Sequence, residues 1–333
     1  MKFYLAIILV IVAVVVADQD DDLWESYKAK FDKNHPPEKE ASRKQKFIQK
    51  QRQIEKHNKE NKNWKMTHNK FTDLTDEEKK VLRGARMEQR SKPKVNGYPV
   101  LDRALPASID YRGNKCMQPV KNQGACGSCW SFSAITALEF NRCKKTGNAV
   151  ALSEQMLVDC DAYNHGCHGG DYTKAWQYIL EKGGAMKSSV YPYISGVNNQ
   201  TNESCMFNSF SVSAKVSSYD WVIPYPNATA SMAYLQSDGP LPTTMKILDS
   251  FFNYLSGVYS DPACIVADEN DVDHAVVIVG YGTTTATSTV PATPYWIVRN
   301  SWGTGWGLNG YFMIKRGVNM CNIESWTAYV RVV

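Results

Sequence analysis

The segment from Gln123 to Trp130 (Gln-Gly-Ala-Cys-Gly-Ser-Cys-Trp) constrains the fold of this chain more than any other part. Apolar residues recur after it at helical spacing as far as Cys143, so the pattern predicts a helix that begins at Cys129. Unpaired backbone N–H groups and the helix dipole favour an anion at a helix N-terminus, and they lower the pKa of a thiol there. Cys129 is therefore a candidate nucleophile.

Two other kinds of site also use cysteines three positions apart. A redox dithiol would need a thioredoxin-like strand and helix near the start of the chain, and the sequence has no such pattern there. A zinc site would need a second close pair of ligands, for which Cys160, His165 and Cys167 are available. The residues that accompany Cys129 decide between these possibilities.

The same segment resembles the active-site signature of papain-family cysteine proteases, in which a histidine follows the cysteine by about 130–150 residues. His274 lies at this separation, directly before an apolar run, and Asn300 follows in a segment similar to the family's Asn-Ser-Trp-Gly. The resemblance implies that Cys129 is the nucleophile and that His274 forms an ion pair with it, then protonates the leaving amine. It also implies that Asn300 orients the imidazole.

The resemblance assigns roles to two more residues of the site. Gln123 would donate its side-chain amide into an oxyanion hole, beside the backbone N–H of Cys129, and Trp302 would shield the imidazole from water. Taken singly, each of these residues has an ordinary structural explanation, such as a strand end, a turn or a surface loop. Their agreement with the family in order and in neighbouring residues favours catalysis.

The glycine-rich segment 166–170 is similar to the cleft wall of the family. Backbone exposed at Gly169 and Gly170 would pair with an extended substrate, although a disulfide-bearing turn explains the same glycines. The pocket for the second side chain before the cut is expected at Tyr172, Thr244, Val272, Ala275 and Trp326. A small or acidic residue is more usual at Trp326, so we expect a short pocket that prefers small or medium apolar side chains. The alternative is a core tryptophan turned away from the pocket.

Nine cysteines leave one unpaired if the others form disulfides, and a free Cys129 satisfies this count. Eight cysteines allow on the order of a hundred pairings, among which the sequence alone does not choose. The resemblance implies three bridges, Cys126–Cys167, Cys160–Cys205 and Cys264–Cys321. We predict a fourth bridge between the remaining Cys116 and Cys143, since a similar extra bridge occurs in cathepsin B.

Residues 1–17 begin with Lys2, continue as an apolar run from Leu5 to Val16 and end in Ala17. The run is shorter than the roughly 20 residues of a membrane span, so it predicts a signal peptide rather than a signal anchor. No later segment has the length and hydrophobicity of a span. We expect entry into the secretory pathway, with a lysosomal or extracellular destination where disulfides are stable. Glycosylation candidates that fit this compartment are Asn199, Asn202 and Asn227.

Residues 18–104 are rich in lysine and glutamate, with sparse apolar residues at helical spacing. They predict two amphipathic helices with a turn at 34–37, and too small a core to fold alone. Matches to the sequence pattern of cathepsin L-like propeptides are Arg43, Phe47, Ile54, Asn58, Asn69, Phe71 and Asp73. Departures from it are Lys39, Lys50 and Thr67. The resemblance implies an inhibitory propeptide that crosses the cleft backwards, whereas composition alone also fits a helical linker or a partner-binding arm.

Residues 105–333 are expected to form the mature peptidase, with the maturation site close to Leu105. Helical patterns dominate from 105 to about 213, where Ser153 is the expected N-cap of one helix. From 214 to 333, β-branched and aromatic runs bounded by Gly and Pro dominate, and the segment from Thr283 to Pro294 is expected to be a surface hairpin loop. The predicted fold is of the α+β class. The resemblance implies a papain-like architecture, with a helical left lobe, a β-barrel-like right lobe and the active-site cleft between them.

The net charge of the chain is +5, and the excess of positive charge lies in residues 18–104, whereas residues 105–333 are mildly acidic. This distribution favours pairing between the two parts, and no basic cluster interleaved with aromatics indicates nucleic-acid binding. We expect acid to release the propeptide by protonating carboxylates paired with its Lys and Arg residues.

The expected function is that of a monomeric cysteine endopeptidase, made as a zymogen and acting on proteins and peptides without a metal or other cofactor. Its own propeptide, and inhibitors of the cystatin type, are the expected inhibitors. No long insertion with cysteine and histidine follows Gly170, which argues against a carboxydipeptidase. Alternatives are a catalytically silent homologue with a binding or storage role, and an inhibitor that acts on other proteases through residues 18–104.

Overall fold

A computed structural model gives the fold of the chain. The described residues are 19–61, 63–87, 104–197, 204–265 and 268–333. The predicted signal peptide, most of the linker before Leu105, and the sequons at Asn199 and Asn202 lie outside them. Within the described ranges, no helix combines the length and hydrophobicity that crossing a bilayer requires.

The N-terminal part forms the two predicted helices, α1 (residues 19–31) and α2 (Pro37–Glu60), and these are followed by strand β1 (Trp64–Met66) and helix α3 (Asp76–Val81). Proline fits the first position of α2 because an N–H there would have no intrahelical partner. The small core between α1 and α2 consists of Trp24, Tyr27 and Phe47. This core is too small to be stable alone, and β1 adds to the sheet of the second lobe.

The helical lobe contains α4 (Cys129–Thr146), α5 (Glu154–Cys160) and α6 (Tyr172–Lys182). The side chains of Ser153 and Asp171 cap α5 and α6 by accepting backbone N–H groups, as the sequence predicts for Ser153. Helix α4 is buried along most of its length, because it packs against α6 within its lobe and against the second lobe on its other side. The nucleophile candidate is its first residue.

The second lobe is built on one mixed sheet. Besides β1, its strands are β2 (Ile109–Asp110), β6 (Leu241–Met245), β7 (Tyr254–Tyr259), β8 (His274–Thr283), β9 (Pro294–Arg299) and β10 (Tyr311–Lys315). Their order in the sheet is β1-β7-β10-β9-β8-β2, and β6 pairs with β8. The remaining elements are the pairs β3 (Ala185–Met186) with β4 (Val212–Ala214) and β5 (Val216–Trp221) with β11 (Ala328–Val332), and helix α7 (Ala228–Asp238).

The α+β fold with two lobes agrees with the sequence prediction, but the sheet is not closed into a barrel. In the described residues β1 and β2 stand at opposite ends of the strand order and do not pair with each other. The loop 284–293 joins β8 and β9 as the predicted hairpin. Packing between the lobes brings α4 against β8, and this contact positions the candidate site.

The structure contains four disulfides, and Cys129 is the free cysteine. The bridges are Cys116–Cys143, Cys126–Cys167, Cys160–Cys205 and Cys264–Cys321. Because Cys160 and Cys167 are oxidised, the zinc-site alternative is excluded. No group of three or more His, Cys, Asp or Glu side chains among the described residues is arranged to hold a metal ion.

Candidate active site

The contact between α4 and β8 brings the predicted catalytic residues together. Cys129 begins α4 and His274 begins β8, and the backbone N–H of Ala275 donates to Cys129 Sγ at 3.3 Å. Asn300 directly follows β9, the neighbour of β8. Its Oδ1 lies 2.8 Å from His274 Nε2. Since an amide oxygen only accepts hydrogen bonds, Nε2 carries the hydrogen and Nδ1 is left free to exchange a proton.

Trp302 covers the pair formed by His274 and Asn300. Its ring centroid is 5.0 Å from that of His274, and its other face stacks on Phe252 at 5.1 Å. Trp302, His274 and Asn300 are all buried. The indole therefore lies against the histidine and leaves the histidine–asparagine hydrogen bond buried.

Gln123 is fully buried, and its amide is held in one orientation. Its Oε1 accepts a hydrogen bond from the Ser301 hydroxyl at 2.6 Å, and its Nε2 donates to the Cys126 carbonyl at 2.8 Å. Nε2 also donates to the carbonyl of Leu82 at 3.2 Å. The sequence reasoning missed Ser301, although its position between Asn300 and Trp302 in the Asn-Ser-Trp-Gly segment was a signal for it.

Residues 84–86 of the N-terminal part pair with the cleft wall. The N–H of Gly170 donates to Gly84 O at 2.8 Å, and the N–H of Arg86 donates to Gly170 O at 2.9 Å. On the other side, Ala85 donates its N–H to Asp273 O at 3.1 Å. The pairing of Ala85 with Gly170 is parallel. An extended segment of the chain itself thus occupies the cleft.

The cleft wall is tied to the helix that carries Cys129. The bridge Cys126–Cys167 joins the two segments, and Gly127 donates its N–H to Cys167 O at 3.0 Å. The indole N–H of Trp130 donates to Gly166 O at 3.1 Å. Cys129 and the cleft wall are therefore linked by a disulfide and by hydrogen bonds. The glycine-rich segment forms both a disulfide-bearing turn and a backbone edge that pairs with residues 84–86.

Comparison with known proteins identifies the two parts of the chain. Residues 105–331 match the papain family cysteine proteases, and residues 24–78 match the cathepsin propeptide inhibitor domain. The chain belongs to the papain family of cysteine proteases. Because it carries both parts, it is a protease zymogen of the cathepsin L-like type, with its own inhibitory propeptide.

Relatives of similar length support this assignment. Cathepsin K of Mus musculus is 37% identical over 94% of this chain and 93% of its own length, and procathepsin L of Felis catus is 37% identical over 94% and 92%. The solved structure of digestive procathepsin L2 from the larval midgut of Tenebrio molitor superposes with a TM-score of 0.82 at 32% identity, covering 94% of this chain and 99% of that one.

Burial in the covered cleft favours the uncharged forms of Cys129 and His274, the two predicted catalytic residues. Burial raises the pKa of the Cys129 thiol to about 12, and burial lowers the pKa of His274 to about 4. At neutral pH the favoured species are therefore the thiol and the neutral imidazole. The thiolate–imidazolium pair that the sequence predicted is not the favoured state of the covered zymogen.

The residues predicted to form the specificity pocket lie on both sides of the cleft. Tyr172, Thr244 and Ala275 are buried, and Thr244 pairs with Ala275 across β6 and β8. Val272 is partly exposed. The phenol of Tyr172 donates to the carbonyl of Trp326, which connects the helical wall to the proposed floor.

The orientation of Trp326 is fixed by two contacts. Its indole N–H donates to Glu269 O at 2.8 Å, and its ring meets that of Trp221 edge-on at 5.6 Å between centroids. Only 2% of the residue is exposed. The indole is therefore held in one orientation, and its burial is compatible both with the expected pocket floor and with a core tryptophan.

Proposed function

We propose that the mature protease is an endopeptidase that cleaves peptide bonds through an acyl-enzyme on Cys129. The thiolate attacks the substrate carbonyl, and His274 gives a proton to the leaving amine through Nδ1. Water then hydrolyses the thioester, with His274 as the base. The observation that carries this proposal is the contact of the free thiol of Cys129 with β8, where His274 is already bonded to Asn300.

The position of Leu82 supports Gln123 as an oxyanion donor. A carbonyl oxygen of the propeptide already accepts from Gln123 Nε2, so a substrate carbonyl placed there would be polarised in the same way. The N–H of Cys129, at the first position of α4, has no partner within its helix and is the second proposed donor. Departure of the propeptide would let water reach the site and permit the ion pair of Cys129 and His274.

Substrates are proposed to bind as extended chains along Gly170, whose N–H and C=O both face the cleft and pair with the propeptide. The propeptide pairs with Gly170 in the parallel direction. This supports the expected crossing of the cleft in the direction opposite to that of a substrate, which keeps the propeptide from being cut. The fixed indole of Trp326, with Tyr172, Thr244, Val272 and Ala275, is proposed to give a short pocket for small or medium apolar side chains.

Active-site labelling tests this function. The secreted full chain is incubated at pH 4.5 with an epoxysuccinyl inhibitor and examined by intact mass and peptide mapping. We expect one label, on Cys129, in a chain that begins close to Leu105, and no label in the Cys129→Ser variant. A folded and processed chain that takes up no label would instead support the catalytically silent homologue with a binding or storage role.

The sequence predicts that acid releases the propeptide by protonating its ion-paired carboxylates. Two of these carboxylates have pKa values too low for protonation at pH 4.5. The Arg43 guanidinium holds the pKa of Glu78 at about 2. Burial disfavours the charge of Asp249, yet Lys50 and Lys79 hold its pKa at about 2 as well. Because a lowered carboxylate pKa stabilises the docked state until the pH falls towards that value, both ion pairs persist at pH 4.5.

We infer that His68 supplies the acid sensitivity of docking. Its ring stacks on Phe47 at 4.4 Å, between α1 and α2. Burial lowers its pKa to about 4; Lys30 on α1 and Lys50 on α2 act in the same direction, and Glu55 on α2 opposes them. Since the unfolded value is about 6.5, the neutral ring stabilises the propeptide above that pH. As the pH falls from 6.5 towards 4, this stability is progressively lost, because the unfolded propeptide takes up the proton before the folded one does.

The variant His68→Gln is expected to process itself only at lower pH than the wild type. Glutamine can keep the contact with Gln51 but does not titrate, so the midpoint of autoprocessing should fall by about one pH unit or more. The measurement is the fraction of uncleaved zymogen after a fixed time between pH 4 and 7. The exposed His165→Gln serves as the control. An unchanged midpoint for His68→Gln would show that another group triggers release.

We further propose that the protease enters the secretory pathway for a lysosomal or extracellular role, acts as a monomer and is open to cystatin-type inhibitors. The four disulfides support this compartment. Asn227 caps α7 through its Oδ1, which accepts from Ala230, and the residue is partly exposed. Its Nδ2 would therefore accept a glycan without loss of the cap.

A further inference from the structure

The substrate-pairing edge of the cleft consists of two consecutive glycines, which have little conformational preference of their own. Gly169 has φ of 109°, a value that glycine adopts far more readily than other residues. Gly170 offers both its N–H and its C=O to the chain in the cleft. A flexible backbone would lose conformational entropy each time a substrate binds, so a well-positioned edge needs support from outside the glycines.

The side chain of Asn164 provides this support. Its Oδ1 accepts the N–H of Asp171 at 2.7 Å, and its Nδ2 donates to Asp171 O at 3.2 Å, which holds the residue next to Gly170 at two points. A Cβ on Gly170 would lie 2.4 Å from Asn164 Oδ1, so the amide also packs directly against the glycine. Only 8% of Asn164 is exposed.

Asn164 is in turn held by Asp161. Its Nδ2 donates to Asp161 Oδ2 at 2.7 Å, and Asp161 Oδ1 accepts the N–H of Tyr163 at 2.9 Å. Asp161 is buried, and it directly follows α5. At the other end, Asp171 caps α6 by accepting the N–H of Thr173 at 2.7 Å. The chain of contacts Asp161–Asn164–Asp171 thus fixes the edge between two helices.

We propose that Asn164 is a positioning residue for substrate binding, which holds the Gly170 edge ready to pair with the backbone of an extended substrate. This inference rests on the proposed function and deepens it. The edge pairs with the substrate backbone in both the ground state and the transition state, so its loss raises KM more than it lowers kcat. The side chain of Asn164 forms its hydrogen bonds with Asp161 and Asp171 rather than with Cys129, His274 or Gln123, so we expect those three residues to keep their geometry.

The variant Asn164→Asp tests this role with almost no change of shape. It keeps an oxygen for the N–H of Asp171, but it removes the amide donor to Asp161. The assay is run at pH 7 or above, because burial raises the pKa of Asp161 to about 6 and a protonated carboxyl would replace the lost donor at lower pH. In the processed enzyme we expect KM for a dipeptidyl amide substrate to rise about tenfold. We expect kcat to change less than about twofold, and the alkylation rate of Cys129 by iodoacetamide to stay unchanged, because that small reagent does not use the edge.

A reciprocal exchange separates positioning from general stability. In the double variant Asp161→Asn with Asn164→Asp, an amide at 161 donates to a carboxylate at 164, so the same contact forms with its partners exchanged. We expect KM to return to within about threefold of the wild type. In the comparison double variant Asn164→Ala with Asp161→Asn, residue 164 has no side-chain acceptor for the amide at 161. The contact therefore cannot form, and KM should stay raised.

Three outcomes would overturn the proposal: an unchanged KM in Asn164→Asp, a double variant no better than the single one, or an equal fall of kcat and alkylation rate. If Asn164→Asp does not fold, the double variant and Asn164→Ser provide the same KM comparison. A failure of the proposed function is distinguishable, because the wild type itself would then neither hydrolyse the substrate nor take up the epoxysuccinyl label.

Discussion

Replacement of Gly84 with alanine is expected to uncover Cys129 in the intact zymogen. A Cβ at this position would lie 1.9 Å from Gly127 O and 2.4 Å from Gly127 C. Both atoms belong to the backbone of a segment that the Cys126–Cys167 bridge holds in place, so they cannot move aside as a flexible side chain would. The propeptide of the variant must therefore lift away from the nucleophile.

The expected size of this effect follows from the thiol pKa. With a pKa of about 12, the thiolate fraction at pH 7 is about 10⁻⁵, whereas an ordinary thiol of pKa about 8.5 has a few per cent. We expect iodoacetamide to alkylate Cys129 of uncleaved Gly84→Ala zymogen at least about 100-fold faster than the wild type, read by intact mass. Gly113→Ala is the matched control, because no atom lies within 4 Å of its added Cβ. Equal rates for the two variants would contradict this account of how the propeptide blocks the site.

Gln123→Ala is expected to lower kcat of the processed enzyme by about 10²–10³ with little change in KM. The Ser301 hydroxyl and the Cys126 carbonyl hold the amide in one orientation, so it would not need to reorganise when negative charge develops at the proposed oxyanion position. Steady-state kinetics with a peptidyl amide measure the effect, and Gln177→Ala on the surface of α6 is the control. The iodoacetamide rate of Cys129 should remain normal. A variant that retains kcat within about threefold would remove Gln123 from the oxyanion site.

Local signals in the sequence predicted the parts of this molecule that depend on neighbouring residues. The start of α4 at Cys129 and the cap at Ser153 follow from short patterns, and both are present. The placement of His274 beside Asn300 came from the family resemblance rather than from spacing. It is also present, because β8 and β9 are adjacent strands.

Features that depend on burial between distant segments could not be predicted in the same way. The uncharged state of Cys129 results from the coverage of the cleft by residues far away in the chain, and no local pattern encodes this desolvation. The ion pair of Asp249 with Lys50 has no local pattern either, because it spans the boundary between propeptide and protease. Asn164 was overlooked because an asparagine before a glycine-rich turn has no distinctive pattern, and only its hydrogen bonds indicate a role.

The pairing of β1 with β7 has a consequence for the life of the mature enzyme. Strand β7 pairs with β1 through Tyr254, Ser256 and Gly257, and with β10 through Val258 and Tyr259. Removal of β1 in the proposed maturation would leave the first group of backbone N–H and C=O atoms without strand partners, so this part of β7 would become an exposed edge. In the zymogen the propeptide therefore covers an edge that the mature monomer would have to keep from pairing with other chains.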